Sequence, residues 1–213
     1  MVDEVLDVDL AFTKADLRDV IPHDNDPVVV SIVTAGRKVH IVLVNQGSSA
    51  DVMFWSTFNK LQLSLYQLRS YTRSLYGFAG DQVEVRGHLE LRTTFTDGFA
   101  SRTKNIRYLV VNAPSTYNIL LGRLALNRLR AVASTCHMKM KFPNLSGKVI
   151  VIKSDQQEAK RCYENSLKTK RGCSWLWSTH LSKTTVQEFP VWKALGRGDP
   201  SQLGILWKGR LRA

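Results

Sequence analysis

From Pro27 onward the chain is written as short runs of β-branched and other apolar residues separated by turn residues, and that spacing fits a mostly β fold. Val28–Val33, Thr34-Ala-Gly-Arg-Lys38 and Val39–Val44 read as strand, turn, strand, with Gly36 able to take a positive φ. Gln82–Leu91 alternates with a period of two, so one face is buried and the other wet. Thr93–Thr96 and Ile106–Val111 flank Asp97-Gly98, a second hairpin signal. Tyr117–Gly122 reads as a buried strand ended by glycine, followed by a short helix to about Leu129, and strands near 134–142 and 148–153 close the series. A second helical pattern runs from Met53 to Leu61, with Ser49 or Asp51 as its candidate N-cap. With no βαβ rhythm, these elements predict a small closed antiparallel barrel with one or two short helices.

At 213 residues the chain can bury one sizeable core. The composition divides it into an acidic leader over 1–26, the barrel over 27–155, and a basic, Trp-rich tail over 156–213 that is expected to be irregular and partly disordered. Six of the acids lie in the first 22 residues against Lys14 and Arg18, although the whole chain carries +12. Four of the five tryptophans, Trp175, Trp177, Trp192 and Trp207, fall near the end without a strand or helix period. The basic charge is spread along the chain, not clustered with aromatics, which allows nonspecific contact with nucleic acid and argues against readout of its sequence.

Several functions are argued against by what the sequence lacks. No apolar run is long enough to span a membrane. The first residues have neither a basic nor an apolar leader region, so the expected location is cytoplasmic or nuclear, not secreted. Cys136, Cys162 and Cys173 are expected to be free thiols. The five histidines are dispersed, and Cys162, Cys173 and His180 lack zinc-site spacing, so neither metal nor cofactor is expected. Phosphate-binding and serine-hydrolase motifs are also missing.

Four segments carry a resemblance. Val42-Leu-Val-Asn-Gln-Gly-Ser-Ser-Ala-Asp-Val52 is preceded by Phe12-Thr-Lys-Ala-Asp-Leu-Arg-Asp-Val20 and followed by Tyr76-Gly-Phe-Ala-Gly80 and Tyr117-Asn-Ile-Leu-Leu-Gly-Arg123 with Ala125-Leu-Asn127. In this order they resemble the retropepsin-like aspartic proteases of plant gypsy-type LTR retrotransposon polyproteins, over about residues 10–172. The resemblance implies a barrel of the retropepsin type that works as a homodimer, each copy supplying one aspartate to cut a polyprotein or peptide substrate without metal or cofactor. The implied site is Asn45, Gln46, Gly47 and Ser48, with Tyr76, Gly77, Phe78, Ala79 and Gly80 as the flap over the substrate and Gly122 packing beneath the loop. Gln46 stands where most retropepsins have Ser or Thr, and Leu124 where the group usually has Pro.

The departure that matters is Asn45, which occupies the position of the family's aspartate. Two close carboxylates share one proton, so that one can act as base toward water and the other as acid toward the carbonyl. A carboxamide has no proton to lose near neutral pH and is a far weaker base, so this chain is expected to lack the general base. Asp51 reads as a helix cap and Asp81 as a turn residue, so neither is expected to substitute. The alternative is a noncatalytic dimerisation or nucleic-acid-contacting module built on the same fold.

Overall fold

The computed structural model describes residues 8–22, 24–76 and 82–168. Six strands close into a barrel: β1 (Val29–Thr34), β2 (Arg37–Val44), β3 (Asp51–Phe54), β6 (Val85–Thr96), β7 (Ser101–Val111) and β8 (Ile119–Leu121), joined in the order β1-β2-β8-β3-β7-β6. The short pair β4 (Leu75–Tyr76) and β5 (Gln82–Val83) forms a separate antiparallel ribbon. Strands β9 (Val132–Ser134), β10 (Lys139–Pro143) and β11 (Val149–Lys153) make a three-stranded sheet in the order β11-β10-β9. Among the described residues there are three α-helices, α1 (Trp55–Lys60), α2 (Arg123–Leu129) and α3 (Gln156–Lys168), and two 3-10 turns, Lys14–Leu17 and Leu65–Gln67, and none is long and apolar enough to cross a membrane.

The hairpin β1–β2 turns on Ala35-Gly36, both with positive φ (49° and 72°), the two-residue turn whose twist matches that of the strands it joins. Between the pairs Val30↔Val42 and Ile32↔Val39 the register shifts, and Ile41 sits in the left-handed region at φ 58°. That conformation is unfavourable for a β-branched residue. Its surroundings hold it: the Ile41 carbonyl accepts the Asn118 N–H at 3.0 Å and the His40 carbonyl accepts Asn118 Nδ2 at 2.7 Å. Asn118 Oδ1 in turn accepts Thr57 Oγ1 at 3.2 Å, so one side chain joins β2, α1 and the entry to β8.

Not every seam of the barrel is antiparallel. Val42, Leu43 and Val44 pair in parallel with Ile119, Leu120 and Leu121, and Asp51 to Phe54 pair in parallel with Tyr108 to Val111. The paired segments are buried throughout, as parallel strands generally are, although β2 and β7 are exposed further along. The pairing also corrects one boundary: Met53 and Phe54 lie in β3 against Val110 and Val111, and the helix starts only at Trp55. A ladder between distant segments has outweighed the local helical pattern.

The core runs through both sheets. Phe54, Phe95, Ile119 and Leu121 in the barrel and Met140, Phe142 and Ile150 in the three-stranded sheet are each fully buried, with Phe95 edge-on to Phe142 at 6.1 Å. The core continues beyond residue 155, because Ala159 and Cys162 of α3 are buried in it. The tail from residue 169, with its tryptophans and Cys173, lies outside the described residues.

Candidate functional site

The segment Asn45–Ala50 connects β2 to β3, and both of those strands are clasped by β8, so the loop leaves and re-enters the same buried seam. At its start, the Asn45 N–H donates to the Leu121 carbonyl at 2.9 Å, extending the parallel ladder by one bond. The Asn45 side chain then turns back: its Oδ1 accepts the Gly47 N–H at 2.9 Å, while the Ser48 N–H donates to the Asn45 carbonyl at 3.2 Å. This is the local turn that Asn and Asp favour, and a carboxylate oxygen at position 45 could accept the same bond. Ser48 Oγ closes the turn by donating to the Ala50 carbonyl at 2.8 Å.

Gly122 holds the loop from below. A Cβ on it would meet the Ala50 carbonyl oxygen far inside contact distance and the Ser48 carbonyl oxygen at 2.9 Å, so a residue without a side chain is required by space, not by backbone angle. The next residue adds a bond, the Arg123 N–H donating to the Ser48 carbonyl at 2.9 Å. Gln46, exposed at the loop's outer end, donates from Nε2 to the Ala133 carbonyl of β9 at 2.7 Å. The loop is therefore tied to three separate elements, and Asn45, Gln46, Gly47 and Ser48 lie together at one end of the barrel.

Asp51 has a different role from the one expected. The helix that follows it, α1, has Phe54 as N-cap with no side-chain bond. Asp51, only 2% exposed, instead accepts the Gly122 N–H at 2.7 Å and interacts with the Ala125 N–H, so it caps α2 from far away in the sequence. Burial pushes its carboxyl up to about 6, although those two N–H groups and the Arg128 guanidinium pull the other way. Alongside it, Tyr108 is completely buried and its hydroxyl bonds Thr93 Oγ1 at 3.0 Å, which in turn bonds Thr34 Oγ1 at 3.2 Å. Burial raises the Tyr108 phenol, and the Asp51 charge adds to the shift. Asp51 and Asn118 were the two residues whose importance the sequence did not convey, since each acts on a partner distant in sequence.

Tyr76 lies on β4, 64% exposed, opposite Gln82 of β5. The rest of the expected flap, Gly77, Phe78, Ala79 and Gly80, lies outside the described residues, as does Asp81. A cavity of about 310 Å³ bordered by Tyr66, Arg69, His88 and Leu91 is not lined by any residue of the Asn45 loop. Among the described residues, no cluster of three or more His, Cys, Asp or Glu side chains is arranged to hold a metal ion. Cys136 is exposed and Cys162 buried, both as free thiols.

No protein-family model and no curated protein matches the chain. Solved structures to which it is similar include three retropepsin-like proteins. The retroviral protease-like domain of Ddi1 from Leishmania major is similar over 63% of this chain and 94% of its own, at 12% identity and a TM-score of 0.46. The EIAV protease complexed with the inhibitor HBY-793 is similar over 54% of this chain and 98% of its own, at 22% identity and a TM-score of 0.38. A retropepsin-like aspartic protease from Rickettsia conorii is similar over 58% and 79%, at 17% identity and a TM-score of 0.38.

Proposed function

We propose that this chain is a retropepsin-like aspartic endopeptidase domain of a retrotransposon polyprotein, of the plant gypsy type, held silent by Asn45. One observation carries the reading. The Asn45–Ser48 turn is supported by Leu121, by the close approach of Gly122 and by Ala133, around a position where the resemblance expects a carboxylate. The sequence resemblance assigns that position to the catalytic aspartate, and the loop geometry is compatible with one.

In an active copy, water would be activated by one of two aspartates brought together across a two-fold axis while the other donates a proton to the scissile carbonyl. Asn45 can hydrogen-bond the water but cannot take its proton. Homodimer formation is supported by the surroundings of the loop. Gln46, Gly47 and Ser49 are exposed, and Leu124 and Val132, neighbouring the residues that tie the loop down, are 53% and 44% exposed. Tyr76 and the Gly77–Gly80 segment would cover the peptide, and the location would be cytoplasmic or nuclear.

Asn45→Asp tests the reading. Assayed against a peptide library between pH 4 and 7, it should show pepstatin-sensitive cleavage that the unmodified chain lacks. Cleavage by the unmodified chain under the same conditions would overturn its silence. Failure of a folded Asn45→Asp chain would favour the noncatalytic alternative, a dimerisation or nucleic-acid-contacting module.

A further inference from the structure

The acidic leader is bound to the rest of the chain in the manner of a ligand. Over residues 8–22 no side chain is fully buried. A single 3-10 turn, Lys14–Leu17, interrupts an otherwise irregular segment, and the leader adds no strand to either sheet. Side chains of the three-stranded sheet and of α3 hold it instead. Lys141 Nζ donates to the Ala11 carbonyl and the Asp16 carboxylate, both at 2.8 Å, and lies 4.7 Å above the Phe12 ring. Lys139 Nζ donates to the Asp16 carbonyl, and Lys153 pairs with Asp19 at 2.6 Å. Phe12 stacks on His137 at 4.9 Å, and Gln156 grips the backbone of Ile21 at both ends, accepting its N–H and donating to its carbonyl, each at 3.0 Å.

That pattern is how a protein reads an extended acidic peptide: ammonium groups for carboxylates and carbonyls, one aromatic anchor, and one amide for a backbone pair. Only the stretch between Ile21 and Val28 connects this ligand to its receptor, and both ends of that stretch are anchored at the same place. Gln156 holds Ile21, while Ser154 and Asp155 bond the N–H and carbonyl of Val29. A short surface connection between an independently held segment and a closed barrel is the arrangement in which identical segments exchange between copies.

We propose that the face formed by Lys139, Lys141, Lys153, His137 and Gln156 is a docking site for an acidic peptide segment, and that the leader of one copy can occupy this face on a second copy. The site does not involve Asn45 or its loop and stands whether or not the chain derives from a protease.

Charge reversal in full-length chains tests the exchange. In Asp16→Lys, ammonium groups face each other across the contact; in Lys141→Asp, carboxylates do. Each chain's own leader is repelled, but the leader of either variant is complementary to the face of the other. An equimolar mixture of the two folded variants should therefore give heterodimers, by native mass spectrometry, well above the half share that random pairing produces. The excess should disappear as salt rises to about 0.5 M. A heterodimer share at or below one half, or monomers alone at tens of micromolar, would overturn the proposal; dimers formed through the Asn45 loop would mix at random.

A second measurement covers the case in which a reversal variant does not fold. A fluorescent peptide of residues 8–22 should bind full-length Asp16→Asn about two- to threefold more tightly than the unmodified chain, because the weakened internal leader competes less. Equal affinity for the two chains would overturn the proposal. So would a twenty-nucleotide RNA taking the face while the peptide does not.

Discussion

The Asn45 loop and the acidic leader are both irregular segments pinned to regular structure, yet they are pinned by opposite means. The loop is held by fit. Its supports are backbone bonds to Leu121 and Arg123, a glycine with no room for a methyl group, and one buried carboxylate on amide donors. The leader is held by charge, through three lysines, two aspartates and a cation over a ring, with the Lys153–Asp19 pair exposed and Lys139 buried beneath the leader. Contacts of the first kind are insensitive to salt and intolerant of volume; those of the second kind are the reverse. The geometry of a site that must place atoms closely is thus kept apart from a contact that can open and close.

Perturbations that act on one region alone separate the two. The largest effect should come from Gly122→Ala, whose methyl group must displace the Ala50 backbone. A loss of roughly 3 kcal/mol, or about 10 °C in melting temperature, is expected by calorimetry, with no added sensitivity to salt. An unchanged melting temperature would mean that the loop is far looser than its contacts indicate. Asp51→Ala should follow, costing about 2 kcal/mol by leaving the amide donors of α2 without a buried acceptor.

Asp51→Asn keeps an acceptor and isolates the charge. Because burial lifts the Asp51 carboxyl to about 6 from its ordinary value of 3.8, the folded state binds a proton that the unfolded state does not between those values. Its contribution to stability therefore grows as pH falls from 7 to 4, by up to about 3 kcal/mol, and urea titrations of Asp51→Asn should lose that slope. The smallest effect should be Asp16→Asn, a shift of about 1–2 °C that vanishes in high salt. Its pH dependence has the opposite sign. The hydrogen bond from Lys141 and that from the Thr13 N–H hold Asp16 down at about 2, so its contribution is present above the ordinary carboxylate range and is lost as pH falls from about 4 toward 2. Phe12 fluorescence is too weak to follow the release, so the reporter should be hydrogen exchange of residues 8–22, protected at pH 5 and unprotected near pH 2 relative to the intrinsic rate.

The elements read most easily from the sequence are those whose information is local. The β1–β2 hairpin declares itself by β-branched runs around Ala35-Gly36, and the helix after Gly122 by the glycine and the apolar spacing of Ala125, Leu126 and Leu129. The Asn45 turn was legible as a motif because its internal bonds, from Gly47 and Ser48 to Asn45 and from Ser48 to Ala50, are local, although its ties to Leu121, Arg123 and Ala133 are not. What stayed hidden depends on remote partners. Asp51 looked like a cap for the next helix because nothing near it reveals that its donors are Gly122 and Ala125. The acidity of the leader was legible but its docking was not, because the lysines that receive it come more than a hundred residues later. Helix α3 was not expected for another reason: over 156–165 the buried Ala159 and Cys162 are outnumbered by charged and amide residues, so the segment reads as part of the polar tail.

The two parallel seams also set the order in which the molecule can be assembled. Hairpins β1–β2 and β6–β7 join neighbours in sequence and need only short closures, but Val42–Val44 cannot find Ile119–Leu121 until everything from β3 to β7 has been synthesised. On a ribosome the Asn45 turn would leave the exit tunnel early and wait, without its floor, for Gly122 to arrive. The candidate site is therefore among the last parts of the barrel to close, and a chain interrupted before Gly122 would contain the whole Asn45–Ser48 motif with nothing beneath to shape it.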